Sequence, residues 1–287
     1  MRKVAKNAIH VDIASVKLNV LVIGGGRMGK AFIKGLTHST KHKVYLVEPS
    51  LERKLELKKD FNVEIYDSEN YENQIKAFLP LSNIIILCVK PQVFSSLQNI
   101  LRNNISEEQT LLSIMAGINS EKICKSLNIE NSIRIMPNTP GQIGEGISVW
   151  FSKNSINKSV KINIKSILGS LGDHIEVDSE DIIDKATAIS GSGPGYIYYF
   201  MEIIQRSCRE IGMDDNLSRN LIIKTFLGST LLANTTNKEF NELKNEVTSP
   251  KGTTEAGLNI MSENNFESSV ISGIKAAYSR AKELNND

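Results

Sequence analysis

Cysteine is scarce in this chain, with only Cys88, Cys124 and Cys208 among 287 residues. They are odd in number, far apart and flanked by apolar residues. That excludes a disulfide framework and reads as buried, reduced thiols of a cytoplasmic protein. Histidine is nearly as sparse: four residues, at positions 10, 38, 42 and 174, show no ligand spacing, so no metal is expected. No apolar run approaches the ~18 residues that cross a bilayer, so no membrane partner is expected. The formal net charge is only +2, and no basic stripe is interleaved with aromatic residues, which argues against a nucleic-acid partner. The first seventeen residues, MRKVAKNAIHVDIASVK, lack the apolar core of a secretory signal. They read as a disordered basic extension, a weak organelle-targeting sequence being the alternative. No Ser–His–Asp, Cys–His or paired-carboxylate set competes for catalysis.

What the chain does have is alternation. LNVLVIG (18–24), KVYLVE (43–48), NVEIY (62–66), NIIILCV (83–89), QTLLSIMA (109–116) and NSIRIM (131–136) are β-rich apolar runs separated by helical segments such as LERKLELKKD. Strands alternating with helices predict βαβ units and a parallel sheet covered on both faces. GISVWF (146–151) and DHIEV (173–177) read as further strands extending that sheet. After Glu180 the β-rich runs give way to long helical segments. The expected fold class is α/β: a Rossmann-type doubly wound sheet over residues 18–180, followed by an all-helical domain over 181–287.

VLVIGGGRMGKAFIKGL (20–36) fits G-x-G-x-x-G through Gly24, Gly26 and Gly29, between a strand and a helix. Gly24 would permit the tight turn, Gly26 the approach of a pyrophosphate, and Gly29 close helix–strand contact. The helix N-terminus, with Met28 in its first turn, offers free N–H groups to phosphate. Arg27 and Lys30 either add charge there or are simply solvated. Glu48 ends the second strand, where an acid can bond the ribose hydroxyls of NAD and would repel the extra phosphate of NADP. Arg53 and Lys54, in the next helix, could instead reach such a phosphate. The cofactor expected is NAD(P)H, with NADH favoured on the strength of Glu48.

Ligands of such sheets bind beyond the carboxyl ends of the strands. VKPQ (89–92) follows the fourth strand and MPNTP (136–140) the sixth, so Val89, Lys90, Pro91 and Asn138 are placed near a bound nicotinamide. Two prolines around Asn138 and Thr139 would stiffen that loop, although both loops also suit ordinary strand-ending turns. TAISGSGPGYIYYF (187–200) sets a glycine-rich turn against a long, largely buried helix. Its small residues serve either close helix packing or the approach of an anion to a helix N-terminus.

Taken together, GGGRMGKA, CVKPQ, SIMAGI, RIMPNTP, SGSGPGY and SPKGTTEAG run in order from Val20 to about Leu284 and resemble the Δ1-pyrroline-5-carboxylate reductase family, which catalyses the last step of proline biosynthesis. The last two stretches are the most specific, because unrelated nucleotide-binding proteins share the first but not these. The resemblance implies a small-molecule substrate, a ring bearing a carboxylate and a C=N bond. It also implies a homodimer with interlocked helical domains, extendable to a higher oligomer, the active site forming where one subunit's cofactor domain meets the helical domain of the dimer. Ser190, Ser192 and the N–H groups of Gly193, Gly195 and Tyr196 would bind the carboxylate, with Pro194 near the first helical position. Thr254, with Ser249 and Thr253 in the same loop, would serve the ring nitrogen. Thr254 could instead cap the helix TTEAGLNIMSE, a task that falls more naturally to Thr253 or Ser249.

Two departures stand out. Lys251 replaces the glycine usual in SPGGTT; a lysine does not easily adopt positive φ, so either the position takes an ordinary conformation or the loop is reshaped, and a lysine there could also favour an anionic substrate. Gly195 stands where alanine is more frequent. Two other readings belong to different classes. A β-hydroxyacid dehydrogenase would need a lysine one turn into the interdomain helix, where this chain has Tyr196, Ile197, Tyr198, Tyr199 and Phe200; Lys185 precedes the glycine turn. A regulatory protein that binds NAD(H) without turnover is favoured only by Lys251.

Overall fold

The β-branched runs form a sheet in the computed structural model, which describes residues 17–39, 42–68, 70–102 and 104–286. The proposed basic extension lies, but for Lys17, outside the described residues. The strands are β1 (Asn19–Ile23), β2 (Lys43–Val47), β3 (Glu64–Ile65), β4 (Ile84–Leu87), β5 (Thr110–Ser113), β6 (Ile133–Met136), β7 (Gly146–Ser152) and β8 (Gly172–Glu176). Their spatial order is β3-β2-β1-β4-β5-β6-β7-β8. Pairing is parallel from β3 through β6; β7 then runs antiparallel to β6, and β8 parallel to β7. The expected sheet is therefore present, with its far edge reversed. The order turns back between β1 and β4, which opens the crevice where doubly wound sheets take ligands.

Period-2 alternation sorts the strand side chains onto two dry faces. Val20 and Val22 of β1 face one core with Phe32, Ile33 and Leu36 of α1 (Arg27–Ser39). Leu57 of α2 (Leu51–Asp60) and Ile164, Ile167 and Leu168 of α6 (Lys158–Gly169) complete that layer. Leu21 and Ile23 face the other core, with α3 (Tyr71–Phe78), α4 (Pro91–Leu101) and α5 (Ser120–Leu127). Burying each such aliphatic side chain contributes roughly 1.5–3 kcal/mol. Polar seams tie the layers together. Buried Arg134 of β6 and the Ser120 N–H and hydroxyl all donate to the Glu180 carboxylate, at 3.3, 2.7 and 3.1 Å.

The tightest packing lies at the front of α1. Gly24 takes φ 104°, and a Cβ there would stand 2.7 Å from the Cys88 carbonyl oxygen. A Cβ on Gly29 would stand 1.9 Å from the Gly24 carbonyl oxygen, closer than any side chain can approach. The three cysteines are free, and each is half-buried rather than fully buried.

The chain divides into two compact units after Ile183. The second contains α7 (Glu180–Ala186, which begins in the first), α8 (Gly193–Glu210), α9 (Asp215–Thr235), α10 (Phe240–Glu246), α11 (Thr253–Glu263) and α12 (Phe266–Asn286). Phe200 of α8 packs edge-on against Phe226 of α9 and in a tilted contact against Phe266 of α12, both at 5.9 Å between centroids. The expectation of a largely buried α8 is corrected: Tyr198 and Tyr199 are each 61 % exposed, and Tyr196 and Ile197 are exposed too. Leu217, Leu231, Leu232 and Phe240 on α9 and α10 are likewise open. These helices carry apolar residues on more sides than one copy of the unit can cover.

Lys251 keeps the glycine-like geometry, with φ 59°. Its N–H donates to the Glu255 carboxylate at 2.7 Å, which holds the backbone in the left-handed region despite the side chain.

Two stability measurements test this packing. Gly29→Ala is expected to cost at least ~2 kcal/mol in urea unfolding followed by the fluorescence of fully buried Trp150. Lys251→Gly is expected to stabilise by ~0.5–1 kcal/mol, the relief at positive φ outweighing the entropy of a glycine in the unfolded chain, as read by circular dichroism.

Candidate active site

The glycine-rich loop is built by what its side chains leave out. At Gly24 the N–H donates to the Val47 carbonyl at 2.8 Å, which ties the loop to the end of β2. A Cβ on Gly26 would meet nothing within 4 Å, so the space above it is open. The first N–H groups of α1 lack intrahelical acceptors and lie at the positive end of the helix dipole. An open glycine beside a helix N-terminus is a cradle that a dinucleotide pyrophosphate fits. Arg27 is exposed at the mouth of this cradle, whereas half-buried Met28 packs on the core beneath it. Lys30 is drawn away: its ammonium pairs with Glu56 at 2.5 Å and Asp60 at 3.5 Å.

Glu48, expected at the ribose, is closed off at the end of β2 and bonded within the chain. Its side chain is 3 % exposed, and its carboxylate accepts from the Gly25 N–H at 2.8 Å, the Ser50 N–H at 3.0 Å and Arg53 Nη1 at 3.2 Å. The acid is spent on the loop, and its charge is offset by a guanidinium. Lys54 is also corrected. It is buried, with its ammonium on the Ser68 carbonyl at 3.0 Å, leaving Arg53 as the exposed cation of the expected pair. Sequence reasoning passed over Gly25, the middle glycine of the triplet, whose N–H is the one that Glu48 binds. The GGG run together with an acid after β2 was the available signal.

The loops after β4 and β6 lie on the same edge of the sheet. A Cβ on Gly24 would touch Val89 at 3.1 Å, so VKPQ abuts the glycine-rich loop directly. Lys90 is exposed at the N-cap of α4, and Pro91 opens that helix. Asn138 starts the short turn Thr139–Ile143, and its side-chain oxygen accepts from the Ile147 N–H at 2.9 Å, pinning the loop to β7. That turn lies beside α1, since the Lys34 ammonium reaches the Gln142 carbonyl at 3.0 Å. Thr139 Oγ1 is buried and has no partner. Cys88 sits at this edge as well, but burial pushes its thiol well above the ordinary range, so it is no nucleophile.

In the second unit, the glycine-rich stretch before α8 is not a turn. Thr187–Gly191 form a π-helical segment, and Ser192 remains right-handed at φ −83°, so the chain stays helical from α7 into α8. Such bulges are frequent at functional sites. Ser190 Oγ donates to the Ala186 carbonyl at 3.0 Å, and the Ser192 N–H donates to Thr187 at 2.8 Å. The Gly195 N–H donates to the Ser192 carbonyl at 2.9 Å, so this expected anion donor is already engaged. Cβ atoms on Gly193 and Gly195 would meet nothing within 4 Å, so neither glycine serves helix packing inside the chain. Pro194 lies in the first turn, as its missing N–H favours.

The SPKGTT loop leads into α11. Gly252 occupies the N-cap with no side-chain bond, so neither Ser249 nor Thr253 caps the helix as expected. Ser249 instead closes the loop through its carbonyl, which accepts from the Gly252 N–H at 2.9 Å. Thr253 and Thr254 stand exposed in the first turn. Within one chain α11 packs on α12, which also packs on the π-helical segment, and α8 packs on α9. Among the described residues no cluster of histidine, cysteine or acidic side chains could hold a metal ion, and no helix is long and apolar enough to cross a membrane.

Comparison with known proteins accounts for both halves. Residues 180–284 match the family model for pyrroline-5-carboxylate reductase dimerisation, and residues 19–117 match that of coenzyme F420-dependent NADP oxidoreductases. Pyrroline-5-carboxylate reductase 2 of Bacillus subtilis is 32 % identical over 267 residues, 91 % of this chain and 93 % of the relative. The crystal structure of pyrroline carboxylate reductase from Plasmodium falciparum with NADP bound superposes with a TM-score of 0.83 at 28 % identity, covering 93 % of this chain and 98 % of that one. The reductase of Coxiella burnetii gives 0.80 at 29 %, covering 94 % and 99 %. With both halves accounted for over nearly its whole length, the chain belongs to the pyrroline-5-carboxylate reductase family.

Proposed function

We propose that the protein reduces L-Δ1-pyrroline-5-carboxylate to L-proline at the expense of NAD(P)H. The observation that carries this reading from the geometry is the open stretch around the π-bulge before α8, where Gly193 and Gly195 leave room for a small ring next to Ser192. A small anionic ring suits that room, and a neutral one would gain less from hydrogen-bond donors that favour an anion.

The parts divide as follows. The Gly24–Gly29 loop and the first turn of α1 would hold the cofactor's pyrophosphate, with Val89, Lys90, Pro91 and Asn138 toward the nicotinamide. When bound, the reduced nicotinamide supplies the hydride that the C=N carbon accepts. The Gly193 and Tyr196 N–H groups and the Ser192 hydroxyl would receive the substrate carboxylate. Ser190, which donates its proton to Ala186, would take part through its neighbours' orientation. Thr254 would donate a hydrogen bond to the ring nitrogen, where a proton must be held for the imine to become an amine, with Ser249 and Thr253 shaping the loop. The chain's own task is then orientation and the exclusion of water.

The exposed apolar faces of α8 and α9 support a homodimer with interlocked helical units, extendable to a higher oligomer. A second copy would cover the apolar residues that one chain leaves open on these helices. Three unpaired cysteines suit a reducing, cytoplasmic setting. No lysine stands in the first turns of α8, which leaves a hydroxyacid dehydrogenase without its base. Lys251, the departure that favoured a regulatory protein, keeps the loop in a glycine-like conformation instead of reshaping it.

Two kinetic experiments test the reading. Oxidation of the reduced cofactor by Δ1-pyrroline-5-carboxylate is expected to be rapid and to fall by ~100-fold or more in kcat/KM for the ring lacking its carboxylate; equal rates would refute the anion site. Thr254→Val is expected to lower kcat by ~10–100-fold with little change in KM, and Thr254→Ser to restore most of it. Unchanged kcat in the valine variant would remove Thr254 from the chemistry.

A further inference from the structure

The end of β2 is where dinucleotide-binding folds distinguish the adenosine ribose of NAD from its 2′-phosphorylated form. An acid there ordinarily signals NAD, because it bonds the hydroxyls and repels the phosphate. In this chain the acid is present but otherwise engaged. Oε2 of Glu48 takes the Gly25 N–H at 2.8 Å and Arg53 Nη1 at 3.2 Å, while Oε1 takes the Ser50 N–H at 3.0 Å. The Glu48 N–H in turn donates to Gln74 Oε1 at 3.1 Å. The residue is 2 % exposed and thus closed off from solvent.

We propose that Glu48 is a positioning residue that clamps the glycine-rich loop, not the acid that grips the ribose, and that the choice between NADPH and NADH falls to Arg53. The inference rests on the dinucleotide reading of the loop and is independent of the substrate.

Three features carry it. The loop is shaped to close on the acid. A Cβ on Gly25 would lie 2.8 Å from Leu57 Cδ1 and 3.1 Å from Glu48 Oε2, so a side chain at this position would push the loop off the carboxylate. Releasing Glu48 to a ribose would exchange a charge-assisted bond from a guanidinium for bonds from neutral hydroxyls, a poor exchange at a buried site. Neighbouring Tyr71 also brings no charge of its own to this corner. Burial first, then the Glu48 charge, push the phenol of neighbouring Tyr71 upward, so Tyr71 stays neutral beside it.

The cations near this corner then sort themselves. Lys30 is held by Glu56 and Asp60, and Lys54 is buried on Ser68. Arg27 is exposed at the pyrophosphate cradle, and Arg53, 48 % exposed, stands at the strand end in the first turn of α2, its own N–H donating to the Ser50 hydroxyl at 3.3 Å. One nitrogen of its guanidinium satisfies Glu48, and the rest of that planar fork suits a phosphate dianion. With its charge offset by the Arg53 guanidinium, Glu48 itself no longer opposes a 2′-phosphate.

The test uses the whole protein without substrate. Binding of NADPH and NADH is measured by nicotinamide fluorescence, and thermal unfolding of the cofactor-free protein is followed alongside. Glu48→Gln is expected to lower the unfolding temperature by ~4 °C or more and to weaken both cofactors by the same factor, within about 3-fold of each other. Arg53→Gln, whose amide retains a donor for Glu48 and whose unfolding temperature is followed in the same way, is expected to weaken NADPH by ~10-fold or more and NADH by less than about 3-fold. Should Glu48→Gln fail to fold, the clamp stands, and Arg53→Gln alone decides the specificity. The proposal is overturned if Glu48→Gln leaves the unfolding temperature unmoved while weakening NADH alone, or if Arg53→Gln affects both cofactors equally. Wild-type protein that binds neither cofactor would overturn the dinucleotide reading, and this proposal with it.

Discussion

The close seating of α1 on the end of β1 is the contact on which the rest of this chain depends. With 1.9 Å between the Gly24 carbonyl oxygen and the place a Gly29 Cβ would occupy, only a residue without a side chain lets the helix start there. That start brings the free N–H groups of the first turn to the sheet edge, at the point where strand order turns back. The loops after β4 and β6 reach the same edge because parallel strands deliver their carboxyl ends together. The Glu48 clamp then keeps the loop in shape from below. A packing constraint and an anion-binding geometry are here the same arrangement.

The two units solve opposite problems. The first buries both faces of its sheet with helices of its own and is closed by its own chain. The second exposes tyrosines and leucines from α8 to α10 that water does not favour. A helix with apolar residues on several sides is stable only when several neighbours cover it, and one copy supplies too few. The matched dimerisation family identifies what the covering is for. The stretches proposed to receive the substrate lie on helices of this incompletely covered unit.

Local chemistry was legible wherever one residue's role follows from its neighbours in sequence. The eight strands, the tight turn at Gly24 and the helix-opening Pro194 could all be read from pattern and steric rule, whereas the positive φ that Lys251 takes could not. Reading failed where a side chain had a choice of partner. Glu48 stands where a ribose ligand would, yet it bonds Gly25, Ser50 and Arg53. Lys30 and Lys54 looked available to phosphate and are held by Glu56, Asp60 and the Ser68 carbonyl. The burial of α8 was overestimated because apolar periodicity says which residues avoid water, not which molecule covers them.

The sequence by itself determined the fold class, the place of the glycine-rich loop and the family, since all three rest on periodicity and on motifs that span a few adjacent residues. Only the tertiary structure decided that Glu48 bonds Gly25, Ser50 and Arg53, that Lys30 and Lys54 are held by other partners, and that the stretch before α8 is a helical bulge rather than a turn. The physical reason is the same in each case. Hydrogen bonds and burial depend on distances between residues far apart in the chain, and those distances exist only once the sheet and its helices have closed around them.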